Sequence, residues 1–191
     1  MFGKPPDTVP DGLDAAQYLE LAHWYMEKRM FSHARQSFTR SCAAEPEGEV
    51  AAECRRWLSR VPKGDAPKEI YERLWRIEAE MALHPQECKR KAEKIAAEYP
   101  DCEWPHQLLG AAYLQSGEIE KCMQALQEAL RLNPDYAPTL ATMARAQAVD
   151  MDYEAARASL EAAEAVMPGD NNLANLRRCI DFLIALDGEV N

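Results

Sequence analysis

The side chains that could carry chemistry here are six cysteines at 42, 54, 88, 102, 122 and 179, four histidines, and a scatter of paired carboxylates. No two cysteines stand as Cys-x-x-Cys and none neighbours a histidine at ligand spacing, so no metal site is expected. In a cytosolic chain they read as small buried apolar residues. Cys102 and His106 are four apart and could share a helix face, but Cys102 falls in the loop before a helix with no nucleophile motif around it. Glu118/Glu120 and Glu161/Glu164 could be drawn as acid and base, yet both pairs fall on helix faces expected to be solvated. His23, His33, His84 and His106 lie in separate segments. No Gly-x-Gly-x-x-Gly or Walker sequence occurs. The chain is therefore expected to have no catalytic residues, no metal and no cofactor, and not to be an enzyme.

What would position such residues follows from size and charge. At 191 residues, 47% hydrophobic and 28% charged, the chain suits one architecture with a substantial core. The formal net charge is −10. Residues 101–191 carry 6 Lys and Arg against 15 Asp and Glu, whereas 49–100 carry 11 against 10. So acidic a C-terminal half repels phosphate backbones, and nucleic acid is not an expected partner. Apolar runs such as Phe182–Leu186 fall far short of the roughly 20 residues that span a bilayer. Nor does the N-terminus have the apolar segment of a secretory signal, so a cytoplasmic location and no membrane contact are expected.

The dominant pattern is a repeat. Pro100, Pro134 and Pro168 are each 34 residues apart, and each closes a run of apolar residues at helical spacing. Cys88, Cys122 and Ala156 keep the same interval, as do Ala92, Leu126 and Leu160. The next equivalent proline, Pro46, lies 54 residues before Pro100, one repeat plus 20.

These residues resemble the tetratricopeptide-repeat family, a helix-turn-helix of 34 residues in tandem. The clearest copy is 103–136, with Leu109-Gly110, Tyr113, Gly117, Cys122, Leu126, Ala129 and Pro134. Residues 15–48 supply Tyr18, Leu21-Ala22, Tyr25, Phe31, Ala34, Phe38, Ser41 and Pro46. The copy at 137–170 keeps Leu140, Met143-Ala144, Tyr153, Ala156, Leu160, Ala163 and Pro168 but has Gln147 at an aromatic place. The copy at 69–102 is degenerate, with Trp75-Arg76 at the Leu-Gly place and Pro85 near the turn. The resemblance implies an all-α right-handed superhelix of antiparallel helix pairs, about ten helices in all.

Outside the repeats, residues 1–14 are expected to form a flexible arm, with Asp14 able to cap the first helix. Residues 49–68 comprise an extra helix, about 49–61, and a breaker, Pro62 to Pro67. That helix fits two registers, a separate element or a partner of the helix at 68–83. Residues 171–187 continue the phase as a capping helix, and 187–191 should be loose. Asn133-Pro134 and Met167-Pro168-Gly169 read as stops, with Asn or Gly taking a left-handed cap.

In the family the first helix of each pair lines a concave groove that holds a partner's peptide or helix. By repeat phase that face comprises Leu19, His23 and Met26, then Ile70, Arg73, Ile77 and Glu80, then Trp104, Gln107, Ala111 and Leu114, then Ala141, Arg145 and Ala148. Apolar positions suit a peptide's anchors, and Arg73 and Arg145 suit its carboxylates. Filling of the groove from within by the insertion helix or the arm is the competing reading. Relatives that grip the carboxylate of chaperone tails use Lys and Asn in the first repeat, where this chain has Leu19 and His23, so that clamp is missing. The expected function is an interaction scaffold or adaptor for another protein or peptide. The alternative is an assembly or secretion chaperone, dimeric in one version, using Trp57, the insertion helix and the arm. Self-association is compatible with either.

Overall fold

The computed structural model describes residues 6–190. Among them are ten helices and no strand: α1 Ala15–Glu27, α2 Phe31–Ala44, α3 Glu49–Leu58, α4 Lys68–Glu80, α5 Pro85–Glu98, α6 Glu103–Gln115, α7 Ile119–Leu132, α8 Ala137–Val149, α9 Tyr153–Val166 and α10 Asn171–Val190.

The phased prolines act one residue upstream. A proline ring excludes the α conformation from the residue before it. Glu45 (φ −141°, ψ 89°), Tyr99 (−128°, 68°), Asn133 (−141°, 90°) and Met167 (−134°, 65°) each precede a repeat proline and each ends its helix in extended backbone. The left-handed cap expected at Asn133 is thus not formed, and Gly169 alone of those stop residues takes positive φ, at 76°. At the other end, Asp14 closes a reciprocal capping box with Gln17 on α1.

The turns inside the helix pairs share a second signature. Arg29, Gly117 and Met151 occupy the same repeat position and have φ of 56°, 70° and 63°. Glycine takes this conformation freely; a residue with a Cβ is held there at a cost of about 1–2 kcal/mol. Leu83, the equivalent in 69–102, is not among the positive-φ residues, and that copy enters its second helix through Pro85 instead.

Helices pair as α1/α2, α4/α5, α6/α7 and α8/α9; α3 rests on α2 and α1, and α10 on α9 and α8. Since α4 packs on α5 and α6 while α3 packs on the first pair, the chain forms two modules, α1–α3 and α4–α10. Fully buried Ala34, Ala92 and Ala156, with Cys88 and Cys122, sit where helices cross. At the α6/α7 crossing a Cβ on Gly110 would lie 2.4 Å from Leu126 Cδ2, so glycine sets that approach. Cys54, Cys88, Cys102 and Cys122 are buried, Cys42 is half-buried, and Cys179 departs from the expected burial by standing exposed on α10.

Three edges differ from expectation. The insertion helix ends at Leu58, and the chain leaves helical geometry before Pro62. The tail expected to be loose continues α10 to Val190, with no proline to stop it; Asn191 lies outside the described residues. Of the arm expected to be flexible, 6–14 lies across the first helix pair, while 1–5 fall outside the described residues. Tyr25 Oη donates to Pro6 O (2.9 Å), Tyr18 Oη to Pro10 O (3.1 Å) and Arg40 Nη1 to Pro10 O (2.8 Å), and Val9 is buried.

Candidate partner-binding surface

The first helices of successive pairs, α4, α6 and α8, touch one another along one face, and α10 continues the row against α8. This is the concave face, and the two modules meet on it. Phe31, at the start of α2, sets its ring edge-on to Tyr71 (4.9 Å between centroids) and Trp104 (5.7 Å). Beside it the Arg29 guanidinium lies 4.2 Å over the Trp75 ring. The turn of the first helix pair is thereby seated on α4 and α6.

The segment joining α3 to α4 follows the same face further along. Ser59 O accepts from Ala137 N (2.9 Å), at the start of α8. Arg60 pairs with Asp170 at 2.5 Å. Lys63 N and Gly64 N donate to the two carboxylate oxygens of Glu103 (2.5 and 2.9 Å), which also accepts from Asn133 Nδ2 (2.7 Å). Glu103 is fully buried. A buried carboxylate needs such donors to replace water. Gly64 comes so close that a Cβ would meet Cys102 Cα at 2.5 Å and Asp101 O at 2.8 Å, both backbone atoms. Sequence spacing gave no hint of Glu103, since its partners lie 39–40 and 30 residues away and outside the repeat phase.

Of the fourteen groove residues expected from repeat phase, six are buried, six are half-buried and two are exposed. His23 lies between Phe38 and Trp57 (5.6 and 5.2 Å), with Nε2 3.2 Å from Glu53, so α3 packs against it and leaves its side chain 37% exposed. Leu19 and Met26 are half-buried against the main core. Ile70, Ile77 and Trp104 are buried, Arg73 is exposed, and Glu80 pairs with Lys91. Ala111 and Leu114 are half-buried, and Ala141 and Ala148 are buried.

Two clefts open along the stretch from Trp104 to α10. One, of about 480 Å³, runs between the modules and is lined by Phe31, Trp104, Gln107, Ala141, Thr142 and Arg145 among others. The second, of about 560 Å³, is apolar: Leu114, Ala148, Val149, Met151, Leu176, Ile180 and Leu183, with Arg145 at its edge. Val149 and Met151 are among the most exposed large apolar side chains described, at 62% and 71%. Arg145 borders both clefts, is exposed, and makes no ion pair or hydrogen bond with a described residue.

Gln107 is 6% exposed, and its Oε1 accepts no hydrogen bond from any described residue. Ser37 Oγ and Thr139 Oγ1 share that condition, but neither residue lines either of these clefts. An orphaned buried acceptor costs about 1–3 kcal/mol, and this one belongs to a residue that lines a cleft.

Several of the reactive side chains are otherwise engaged. Burial pushes the thiols of Cys54 and Cys122 up to about 11 and that of Cys102 up to about 12, which suppresses the thiolate. His106 Nε2 sits 3.2 Å from Pro100 O. Glu118 is held below the usual carboxylate range by hydrogen bonds from Lys121 and Lys89, and Glu164 by Arg177. Among the described residues no helix is long and apolar enough to cross a membrane.

Comparison with known proteins adds three findings. The family model of the tetratricopeptide repeat matches residues 105–136, that is, α6 from its third residue through α7 and the closing turn. No curated protein matches the sequence. Solved structures of similar fold include MamA (TM-score 0.51, 16% identity, 92% of this chain and 85% of that one). Another is the TPR2AB domain of yeast Sti1 in complex with pHSP90 (0.51, 13%, 88% and 67%). A third is a tetratricopeptide repeat protein from Parabacteroides merdae (0.51, 13%, 92% and 75%). At these identities the likeness is one of fold.

Proposed function

We propose that this chain, with a tetratricopeptide repeat matched at 105–136 and the fold of solved tetratricopeptide-repeat structures, is an interaction scaffold holding a short segment of another protein on the open part of its concave face. The observation that carries the reading is Gln107, whose buried Oε1 has no hydrogen-bond partner among the described residues, in a cleft wall shared with Trp104 and an Arg145 that makes no ion pair with a described residue. An amide can accept from a peptide N–H and donate to its C=O, so it suits a main chain laid along the cleft. Arg145 supplies a fork for a carboxylate, and the apolar cleft beyond it takes an anchoring side chain. An isolated short ligand of this kind is expected at micromolar strength, about −8 kcal/mol. The yeast Sti1 structure, a complex with pHSP90, lends the general mode, not the partner.

Trp104 is a poor probe of this reading. Its ring is packed against Phe31 and Tyr71, and truncation to Ala would cost about 3–5 kcal/mol of stability. Gln107→Leu and Arg145→Glu are cleaner. A photo-crosslinker at Thr142, compared with one at Gln127 on the opposite helix layer, should capture a distinct protein from the native cell extract. Direct binding of the purified partner should then fall about tenfold in each variant, with helical content unchanged. Equal capture from both positions, or binding indifferent to both substitutions, would contradict the proposal.

A further inference from the structure

A third cleft, of about 590 Å³, opens at the seam of the two modules, and Arg145 is not among its lining residues. One wall carries Arg35 of α2, Arg55 and Arg56 of α3, and Lys63 of the joining segment; the other carries Asp135 in the turn before α8. Four cations thus face one carboxylate in a chain of net charge −10. None of the four forms an ion pair with a described residue, whereas Lys89, Arg131 and Arg177 each have a carboxylate within 2.9 Å. Arg35 spends only Nη1, on Leu58 O and Val61 O, and Arg55 spends Nη2 on Pro46 O, while no hydrogen bond to a described residue holds the side chains of Arg56 and Lys63. Leu58 and Val166 form an apolar part of the lining.

We infer that this seam cleft is a binding site for an acidic peptide segment of a partner protein, one in which carboxylates alternate with an apolar residue. Unpaired cations of one sign in a cleft focus the field on an anion, and guanidinium forks match carboxylates. Their spread over three elements suits an extended ligand carrying several separate charges. The apolar lining has no use for a bare phosphate, and the strongly acidic 101–191 half disfavours a nucleic-acid backbone. Because the walls come from both modules, the bound segment would also fasten α1–α3 to α4–α10. This site stands apart from the concave one and does not rest on it.

The test is fluorescence anisotropy of the whole chain with a labelled peptide alternating Glu, Leu and Asp, and with the same peptide carrying Gln and Asn. Arg56→Glu with Lys63→Glu changes two exposed side chains that hold nothing else in place, and should weaken the acidic peptide about tenfold or more. Arg56→Gln with Lys63→Gln should weaken it less but in the same direction. Arg90→Glu with Lys94→Glu, an equal change of charge on α5, and Arg145→Glu should leave binding intact, and the amide peptide should not bind. Equal loss in the α5 pair would reduce the effect to net charge, and loss only in Arg145→Glu would move the peptide to the concave cleft. Displacement of the peptide by tripolyphosphate at equal or lower concentration would make the ligand a phosphate. Each of these overturns the inference, as does absence of binding.

Discussion

The two halves of the concave face are built from equivalent helices and meet opposite fates. Along α4 and α6 the face is occupied by the protein's own Phe31 turn and the 59–66 segment, down to the hydrogen bonds of Glu103. Along α8 and α10 the face is open, and exposed Val149, Met151 and Leu183 line it. The same repeat geometry therefore serves as an internal joint in one half and a candidate docking surface in the other. What separates them is the insertion after the first copy, which returns the chain across its own groove.

The sharpest way to break this contrast is at the joint. Glu103→Ala would leave two backbone N–H groups and the Asn133 amide without their acceptor. It should cost about 3–5 kcal/mol in urea unfolding, whereas Glu118→Ala, on the surface, should cost under about 1 kcal/mol. Gly64→Ala should follow at about 2–3 kcal/mol, since the new Cβ meets backbone that cannot step aside. In the open half, Ala156→Leu overpacks the α8/α9 crossing, for a loss of about 1–3 kcal/mol. Gln107→Leu sharpens the distinction from the other side: removing an unsatisfied buried amide should leave stability unchanged or raise it by about 1 kcal/mol, while partner binding falls. Smallest of all, Met151→Gly should relieve the left-handed turn and raise the melting temperature slightly, worth about 0.5–1 kcal/mol, but flatten the apolar cleft.

The repeat half of this description was legible in the sequence because it is periodic. Prolines phased at 34 mark where each pair ends, and the small residues at Ala34, Ala92 and Ala156 mark the crossings. The all-helical solenoid follows from them. The joint was not legible, because no period relates Glu103 to Lys63, Gly64 or Asn133. Gly64 reads as a helix breaker in sequence, and only the folded chain reveals the backbone pressed against it. His23 and Trp104 had the right phase for a groove, yet phase says which face a residue takes, not what covers that face. Pro85 did mark the copy whose turn departs from the left-handed pattern.

Backbone amide exchange of Lys63 and Gly64 tests the joint most directly. If these N–H groups are locked on buried Glu103, they should exchange at least about a thousandfold more slowly than a free loop, and lose that protection in Glu103→Ala while amides of α9 keep theirs. Exchange of Lys63 and Gly64 at loop rates in the unaltered protein would mean that the concave face of α4 and α6 is not filled from within, and would contradict the account.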